Sequence, residues 1–408
     1  MNSTAGMNNA GMQGQRTGAA GKGPDVICKI LDKLEHKFGG QRFNDPNNDA
    51  KNRAMNQKVA KRIMTIAPKV LKKLPMLLKK ILLNVPLPED KRLLKLSDEL
   101  VETIRATFDT PKNYRPVHAK GQLVKGYFTP HKDASKLSKA PIFTQPSTPL
   151  IVRYSTDTGF KNLPDNGENG SRGFAIRFVL SEDGHTHYDI ITNNAYGFVV
   201  STGEGFLDQF KAMRDDKMED FLDKYPHARY FMENQSPAHS YSFATEQWHS
   251  IHAYKFVNDE GKERYFRWRI VPWQGVMKHS KADAAKQEKN YQFDDLEYGL
   301  SHNKPIKYRL MAQLAEEGDE VNDSTKVWPE TNEFAEMGEI VIDRLWEMDV
   351  GEPAGREQKK IIYNPIPRYM EGVEVSEDPL LEVRTAVYLI SGRIRREHIQ
   401  EEVQQAVR

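Results

Sequence analysis

The side chains best suited to do chemistry lie near the C-terminus, where Arg384 and Tyr388 stand four residues apart. On a helix these two positions share one face, and Arg395 returns to that face two turns later. A cation within reach of a phenol favours the phenolate and lowers the pKa of the phenol. Phenolate is one of the side-chain groups that can ligate haem iron. The spacing places a cation beside a phenol on one helix face. Taken alone, Tyr388 on an apolar helix face would usually be a core residue; set against the two segments below, the pair could form one side of a buried haem.

A histidine and an asparagine from an earlier region could form the opposite side of such a site. They end the segments Arg115-Pro-Val-His118 and Asp189-Ile-Ile-Thr-Asn193. Taken singly, each also fits a structural role, since histidines are often satisfied core residues and asparagines form turns. Arg153 and Ser155 alternate onto one face of a predicted strand, which alone says only that this face tolerates polar groups.

The composition excludes several classes of protein. The chain has 408 residues, enough for a sizeable core, and its 59 basic and 57 acidic residues give a net charge of +2. This balance gives no general case for a nucleic-acid partner. The single cysteine, Cys28, cannot form an intrachain disulfide or a multi-thiolate metal site, which favours a reducing compartment. We find no secretory signal and no apolar run of the roughly 20 residues that span a bilayer, and we expect a soluble, cytoplasmic protein.

The N-terminal region divides into a tail and a basic arm. Residues 1–24 carry too few large apolar groups to offset their ordering entropy, and we expect them to be disordered. Residues 25–110 show helical periodicity broken by prolines. The predicted helices of this arm are Val59–Ile66, Val70–Leu83 and Leu93–Phe108.

The charge of the arm permits two interpretations. Ten basic residues and no acidic residue lie between Lys51 and Pro88. Such a helical stretch can bind an anionic membrane surface. It can also pack on the rest of the chain, or on a neighbouring subunit of a homo-oligomer, with its lysines in water. We favour the packed arm.

Beyond residue 110 the pattern changes to short alternating or apolar runs separated by Gly, Pro, Asn and Asp. Two turn signals, Glu182-Asp-Gly184 and Asn258-Asp-Glu-Gly261, would each close an antiparallel hairpin. We predict an α+β protein with a β-barrel at 111–320, a wrapping segment at 321–375 and a helix at 376–408 that carries Tyr388. Further helices are predicted at Gly205–Met213 and Met218–Lys224. The predicted strands, about eight and antiparallel, are Val117–Tyr127, Leu150–Ser155, Gly173–Leu180, His187–Thr192, Ala253–Val257, Tyr265–Ile270, Ile306–Ala312 and Gly338–Asp343.

Several motifs occur together and in order between Tyr114 and Arg395. They are Arg115-Pro-Val-His-Ala-Lys-Gly121, Val152-Arg-Tyr-Ser-Thr156, Arg172-Gly-Phe-Ala-Ile-Arg-Phe178, Asn193-Asn194 with Phe198 and Phe206, Thr325-Lys-Val-Trp-Pro329, Gly338-Glu-Ile-Val-Ile-Asp-Arg344 and Asp378-Pro-Leu-Leu-Glu-Val-Arg-Thr-Ala-Val-Tyr388. With these motifs the chain resembles the haem catalases. The resemblance implies a closed antiparallel barrel and a haem-dependent hydroperoxidase that decomposes hydrogen peroxide through an oxidised ferryl haem.

The resemblance assigns roles on the distal, peroxide-handling side of the haem. His118 is similar to the distal acid and base, Asn193 to the amide that orients peroxide, and Ser155 to the hydroxyl that bonds the histidine. Phe206 matches the ring that packs on the distal haem face, and Phe198 belongs to the same motif. A neutral imidazole can take a proton from one peroxide oxygen and hand it to the other. The amide adds a fixed dipole where bulk water is excluded.

The resemblance also assigns the proximal side and the edge of the cofactor, which it implies to be haem b. Tyr388 is similar to the proximal iron ligand, and Arg384 to the arginine that keeps this ligand ionised. The phenolate would donate electron density through the iron. Arg115, Arg153 and Arg395 match the arginines that hold the haem propionates, a bidentate task that suits guanidinium.

The chain departs from the family pattern at a few positions. The family has an acidic residue on the peroxide channel where this chain has Gly170. It has Pro-Asp after the proximal tyrosine, replaced here by Leu389-Ile390, and a histidine where Gly392 stands. The pairs His185-Thr-His187 and His249-Ser-Ile-His252 have spacings that could bind metal, but we interpret them as packed or solvent-exposed histidines.

These departures leave two alternatives to hydrogen peroxide chemistry. Without a side chain at Gly170 the entry would be wider and less polar, which suits a peroxidase, lyase or allene oxide synthase acting on organic or fatty-acid hydroperoxides. Against this, Val117 precedes the distal histidine as in true catalases, whereas the allene oxide synthase relatives carry Thr. The change at Leu389-Ile390 supports a non-enzymatic haem-binding protein. We favour hydrogen peroxide.

Overall fold

The computed structural model describes residues 87–406 apart from 169, 183, 185, 235–237, 347–355 and 369. These residues belong to one compact unit, Val85–Arg408. The predicted disordered tail, the basic arm as far as residue 86, Cys28 and the helices Val59–Ile66 and Val70–Leu83 lie outside the described residues.

The described helices and strands are numbered in chain order. The helices are α1 (Lys91–Phe108), α2 (Gly203–Arg214), α3 (Met218–Lys224), α4 (Pro226–Asn234), α5 (Lys281–Ala284), α6 (Tyr291–Ser301), α7 (Arg356–Lys360) and α8 (Pro379–Ala406). The strands are β1 (Gly121–Pro130), β2 (Thr148–Thr156), β3 (Arg172–Val179), β4 (His187–Asn193), β5 (Trp248–His249), β6 (Tyr254–Val257), β7 (Glu263–Pro272), β8 (Ile306–Leu314), β9 (Phe334–Leu345) and β10 (Val373–Val375).

Eight of these strands form a closed antiparallel barrel. The order around it is β7, β5, β4, β3, β2, β1, β9 and β8, and the pairing of β8 with β7 closes the circle. The short strand β6 pairs with the first part of β7, and β10 pairs with β6. Closure removes unpaired strand edges, which stabilises an all-antiparallel sheet in water. The predicted α+β barrel is confirmed.

Alternation along the strands decides which side chains fill the barrel. In β2, Val152 and Tyr154 point inward and are fully buried, whereas Arg153 and Ser155 point outward. The interior is rich in aromatic rings, with the rings of Phe174 and Trp248 stacked 4.9 Å apart. Burial of one such ring stabilises the fold by about 1.5–3 kcal/mol. The barrel interior is therefore a packed core, and the polar side chains Arg153 and Ser155 lie on its outer face.

The barrel extends beyond residue 320, where the sequence analysis ended it. β9, in the predicted wrapping segment, pairs with β1 on one side and β8 on the other. Its alternation predicted the central residues as a strand, but only pairing with distant strands shows that it belongs to the barrel. The two-residue β5 and the three-residue β10 were not predicted, since they are too short for a periodic pattern.

The first strand begins at Gly121, so the prediction that His118 lies at the start of a strand is wrong. Gly121 opposite Ser155 is the first ladder pair between β1 and β2. His118 has a φ of 60°, in the left-handed region that interrupts an extended chain. The ring therefore projects from a loop, at a conformational cost of about 1–2 kcal/mol that the surrounding contacts must offset.

Three helices pack outside the barrel and share one apolar cluster. Leu100, Val101 and Ile104 of α1 meet Leu207 of α2 and Val387 of α8 there. α1 confirms the helix predicted at Leu93–Phe108, and its N-terminus is capped by the carboxylate of Asp90. Among the described residues, no helix combines the length and the apolar character that crossing a bilayer requires.

Candidate active site

Three adjacent strands bring the predicted distal residues Ser155 and Asn193 onto one cross-section of the sheet, with Gly173 between them. We call these three residues the distal rung (Ser155, Gly173 and Asn193). Ser155 of β2 pairs with Gly173 of β3, and Gly173 pairs with Asn193 of β4. Directly paired residues of antiparallel strands point to the same face. This face is the outside of the barrel, because Tyr154 and Phe174 fill the inside. The rung therefore presents a hydroxyl and an amide on the outer surface.

His118 reaches the distal rung from the loop before β1. Its Nδ1 lies 2.7 Å from the carbonyl oxygen of Thr156 and 3.2 Å from Oγ of Ser155. Because a carbonyl only accepts, Nδ1 carries the proton and Nε2 keeps its lone pair. Burial, reinforced by the charges of nearby arginines and opposed by the Thr156 bond, lowers the pKa of His118 to about 4. The imidazole is therefore a neutral base at neutral pH.

The glycine of the rung gives the imidazole its place. A Cβ atom at Gly173 would lie 2.8 Å from both Nδ1 of His118 and Oγ of Ser155. Atoms that close collide, so any side chain there would push the histidine away from the sheet. The absence of a side chain at this position is thus a requirement of the site.

The structure separates the two neighbouring asparagines by role. Asn194 is buried and fully bonded: its Oδ1 accepts from the N–H of Arg172, and its Nδ2 donates to Glu246 and to the carbonyl of Gly170. Asn193 uses only Oδ1, which accepts from the N–H of Ala195 at 3.1 Å. Its Nδ2 donates to none of the described residues, so Asn193 has an N–H group to offer a ligand.

The predicted proximal residues, Arg384 and Tyr388, lie on one face of α8, as predicted. Nη2 of Arg384 donates a 2.8 Å hydrogen bond to the phenol oxygen of Tyr388. A charged donor stabilises negative charge on the oxygen that accepts from it. The Tyr388 ring packs against the apolar cluster of α1, α2 and α8. Nη1 of Arg384 is buried and has no hydrogen-bond partner among the residues that the structure describes.

The sequence analysis missed a buried hydrogen-bonded pair, His252 and Asp378, beside this arginine. Nδ1 of His252 lies 2.7 Å from Oδ2 of Asp378, and both side chains are almost completely buried. Burial, aided by the charge of Arg384 and opposed by Asp378, lowers the pKa of His252 to about 4. The interpretation of His252 and His249 as packed residues is confirmed by their burial. No local pattern in the sequence connects these two residues, which lie 126 positions apart.

Three arginines converge on Gln358–Ile361, the C-terminal end of α7 and the residue that follows it, and we call them the arginine cradle (Arg115, Arg153 and Arg395). Arg115 donates to the carbonyls of residues 358 and 361, and Arg395 to those of 359 and 361. Arg153 donates to the side chain of Gln358 at 3.0 Å. Burial, together with the charges of the other two, holds the pKa of Arg395 well below its usual range.

The cradle is suited to an anionic ligand. Within the described ranges, neither Arg115 nor Arg395 forms an ion pair with a carboxylate. Burial also lowers the pKa of Arg115, to about 10. Buried guanidinium groups are costly unless negative charge compensates them. The buried positive charges of Arg115 and Arg395 therefore suit a ligand that carries carboxylates or phosphates.

The distal and proximal groups belong to one site. The charges of Arg384 and Arg115 act on the imidazole of His118, and Arg115 also interacts with Tyr388. The remaining two predicted residues, Phe198 and Phe206, have ring centroids 5.3 Å apart. Phe206 packs on the same apolar cluster as Tyr388. Hydrogen bonds, strand pairings, ring contacts and charge interactions thus connect the predicted site residues to one another.

The departures noted in the sequence also have structural explanations. A Cβ atom at Gly392 would collide with the side chain of Ile362, so the isoleucine occupies the space of a larger residue there. Leu389 and Ile390 are buried, and Ile390 packs in the cluster with α1 and α2. Their apolar character thus serves helix packing, which removes the argument that they signal a lost activity.

Comparisons with known proteins decide the family. The family model described as Catalase matches residues 93–401. The chain belongs to the catalase family. It is 30% identical over 310 residues to the catalase-related peroxidase of Mycolicibacterium paratuberculosis, an alignment that covers 73% of this chain and 94% of that protein. A catalase-related peroxidase of Synechococcus elongatus is 26% identical over 72% of this chain and 87% of its own length.

A solved bacterial catalase has the same fold. It superimposes with a TM-score of 0.59 at 26% identity, and the match covers 70% of this chain but only 58% of that catalase. Membership of the catalase family makes the protein an oxidoreductase that acts on peroxide and implies a haem cofactor. The residues present fit a haem: the arginine cradle matches its carboxylates, and the phenol of Tyr388 matches its iron.

Proposed function

We propose that the protein is a haem b-dependent hydroperoxidase that decomposes hydrogen peroxide. The observation that carries the proposal is the pairing of a neutral imidazole, with its Nε2 lone pair available, and an arginine-bonded phenol across one site. Bound haem would supply an iron that accepts oxygen and oxidising equivalents from peroxide. Tyr388 would ligate the iron, and the arginine cradle would hold the propionates.

His118 would move the proton. Its Nε2 takes a proton from one peroxide oxygen and returns it to the other, so that the O–O bond breaks with water as the leaving group. The Thr156 carbonyl fixes the tautomer by accepting from Nδ1, and Ser155 holds the ring from the side. Asn193 would donate its unused amide N–H to peroxide oxygen, and Phe206 would pack on the distal side of a bound haem. Each role uses an atom that the fold leaves available.

The low pKa of His118 predicts an acid-tolerant activity. Protonation of Nε2 removes the base, and the neutral form persists until the pH falls to about 4. We therefore expect kcat/KM to stay nearly flat from pH 8 to pH 5 and to fall below that, whereas an ordinary histidine would lose activity below about pH 6.5. Initial rates of oxygen evolution at constant ionic strength measure this profile. A midpoint between pH 6 and 7 would contradict it.

A second candidate substrate is an organic or fatty-acid hydroperoxide. Its support is Gly170, whose carbonyl bonds Asn194 directly beside the distal rung and which offers no side chain where a carboxylate is expected. A less polar approach admits an alkyl chain more readily. This candidate shares every catalytic residue with the first and differs only in what enters.

One comparison separates the two substrates. We expect kcat/KM for hydrogen peroxide to exceed that for a fatty-acid hydroperoxide at equal haem content, with oxygen release from the former. Gly170→Asp is the matched variant. It should increase the ratio of kcat/KM for hydrogen peroxide to kcat/KM for the fatty-acid hydroperoxide, because a carboxylate disfavours entry of the alkyl chain. Clear preference of the unaltered protein for the lipid substrate would reverse our order.

We further infer a cytoplasmic enzyme, because a single cysteine suits a reducing compartment. We interpret the basic arm, residues 25–110, as packed on the rest of the chain or on a neighbouring subunit of a homo-oligomer. Sedimentation of the full chain with and without anionic vesicles tests both the assembly and the membrane alternative.

A further inference from the structure

A buried tyrosine beside the arginine cradle has no hydrogen-bond partner. Tyr363 is 7% exposed, and its hydroxyl bonds to none of the residues that the structure describes. The other buried tyrosines of the described chain are all bonded through their hydroxyls, as Tyr254 is to the carbonyl of Pro365. Buried hydroxyl groups without a partner are rare because they lose their bonds to water without replacement. Tyr363 therefore requires an explanation.

The backbone on both sides of Tyr363 is fixed to the barrel. Arg177 and Asp189, from β3 and β4, form a two-bond ion pair with distances of 2.8 and 2.7 Å. Arg177 also donates to the carbonyl of Ile362, and Asp189 accepts from the N–H of Asn364 at 2.8 Å. The Arg177 guanidinium lies 5.3 Å from the centroid of the Tyr363 ring. The backbone that carries the phenol is thus held in place on both sides, which helps to pre-organise a binding group.

The position of the phenol points to an anion. Tyr363 lies two residues after Ile361, and the carbonyl of Ile361 accepts hydrogen bonds from both Arg115 and Arg395. Burial raises the pKa of Tyr363 to about 12, although the positive charges of Arg177, Arg115 and Arg153 oppose the rise. The hydroxyl is therefore a neutral donor among cations, and a carboxylate would be its complementary partner.

We propose that the Tyr363 hydroxyl donates a hydrogen bond to a carboxylate held by the arginine cradle. This inference rests on the proposed function, under which the carboxylate is a haem propionate. The cradle then has four donors, three charged and one neutral. Tyr363 is a binding residue in this assignment, not a catalytic one.

Hemin titration of the purified apoprotein tests the assignment. In Tyr363→Phe we expect hemin to bind about tenfold more weakly, since one bond to a charged group is lost. The unfolding midpoint of the apoprotein should not fall, because the substitution breaks no bond within the described chain. Tyr188→Phe is the matched control: its hydroxyl bonds Trp268 inside the barrel, so the apoprotein should lose stability while hemin affinity stays unchanged.

The same titration with an iron porphyrin that lacks propionates tests whether the propionates are the partners of Tyr363. The difference between the unaltered protein and Tyr363→Phe should vanish with this porphyrin. If both proteins bind hemin equally well, or if the difference persists without propionates, the assignment of Tyr363 is wrong while the proposed function stands. If the unaltered protein binds no hemin at all, the proposed function and this inference both fail.

Discussion

Substitution of Tyr388 by phenylalanine should give a folded protein whose peroxide turnover is no greater than that of free hemin. The ring packs against the cluster of α1, α2 and α8, and phenylalanine preserves that packing. What is lost is the oxygen that accepts from Arg384 at 2.8 Å, and with it the only candidate for the iron ligand on this helix face. Without an anionic axial ligand, the iron would lack the electron donation that supports O–O cleavage.

The absorption spectrum after hemin addition and the initial rate of oxygen evolution measure this expectation. The spectrum of Tyr388→Phe should differ from that of the unaltered protein, because the axial ligand sets the electronic state of haem iron. Tyr225→Phe is a matched control, since its hydroxyl bonds Asp208 and belongs to no part of the site. An unaltered spectrum with normal turnover in Tyr388→Phe would exclude this residue as the ligand.

Removal of the imidazole of His118 should lower kcat by about 10²–10⁴-fold, the usual contribution of a general acid–base group. Haem should still bind, because the cradle and Tyr388 are untouched. Alanine at this position would also disturb the backbone, which has a φ of 60°. Asparagine tolerates that conformation better, so His118→Asn separates loss of the base from backbone strain.

The rate of oxygen evolution at equal haem content gives the turnover of His118→Ala and His118→Asn. His302→Ala is the control, as the exposed imidazole of this residue has one hydrogen bond to the described residues, to the carbonyl of Tyr298 near the end of α6. Turnover of both His118 variants within a factor of a few of the unaltered protein would mean that another group moves the proton. A fall in His118→Ala alone would assign the effect to the backbone.

The parts of the site that follow from local pattern were predictable. The face shared by Arg384 and Tyr388 follows from helical spacing, and the outward position of Ser155 follows from strand alternation. The helix over Met218–Lys224 was predicted with its observed bounds. These features depend on neighbours along the chain, for which periodicity is a direct signal.

Features that depend on distant or irregular segments were not predictable. The pairing of His252 with Asp378 spans 126 residues. The cradle closes over Gln358–Ile361, and Tyr363, two residues beyond that segment, has no motif of its own. The left-handed backbone of His118 arises because the loop must turn the ring over Gly173, which no propensity encodes. Such contacts are settled by tertiary packing, so a single sequence contains no pattern for them.

The distal rung has a consequence for how the enzyme fails under stress. Its members come from near the ends of three adjacent strands of the barrel, and a shift of one residue between β2 and β3 would turn Ser155 into the core. The groups that support the histidine, Thr156, Ser155 and Gly173, are strand residues, so the distal geometry depends on an intact sheet. In a urea titration, inactivation of the distal side should therefore coincide with loss of the barrel's circular dichroism, and the enzyme should show a single cooperative collapse.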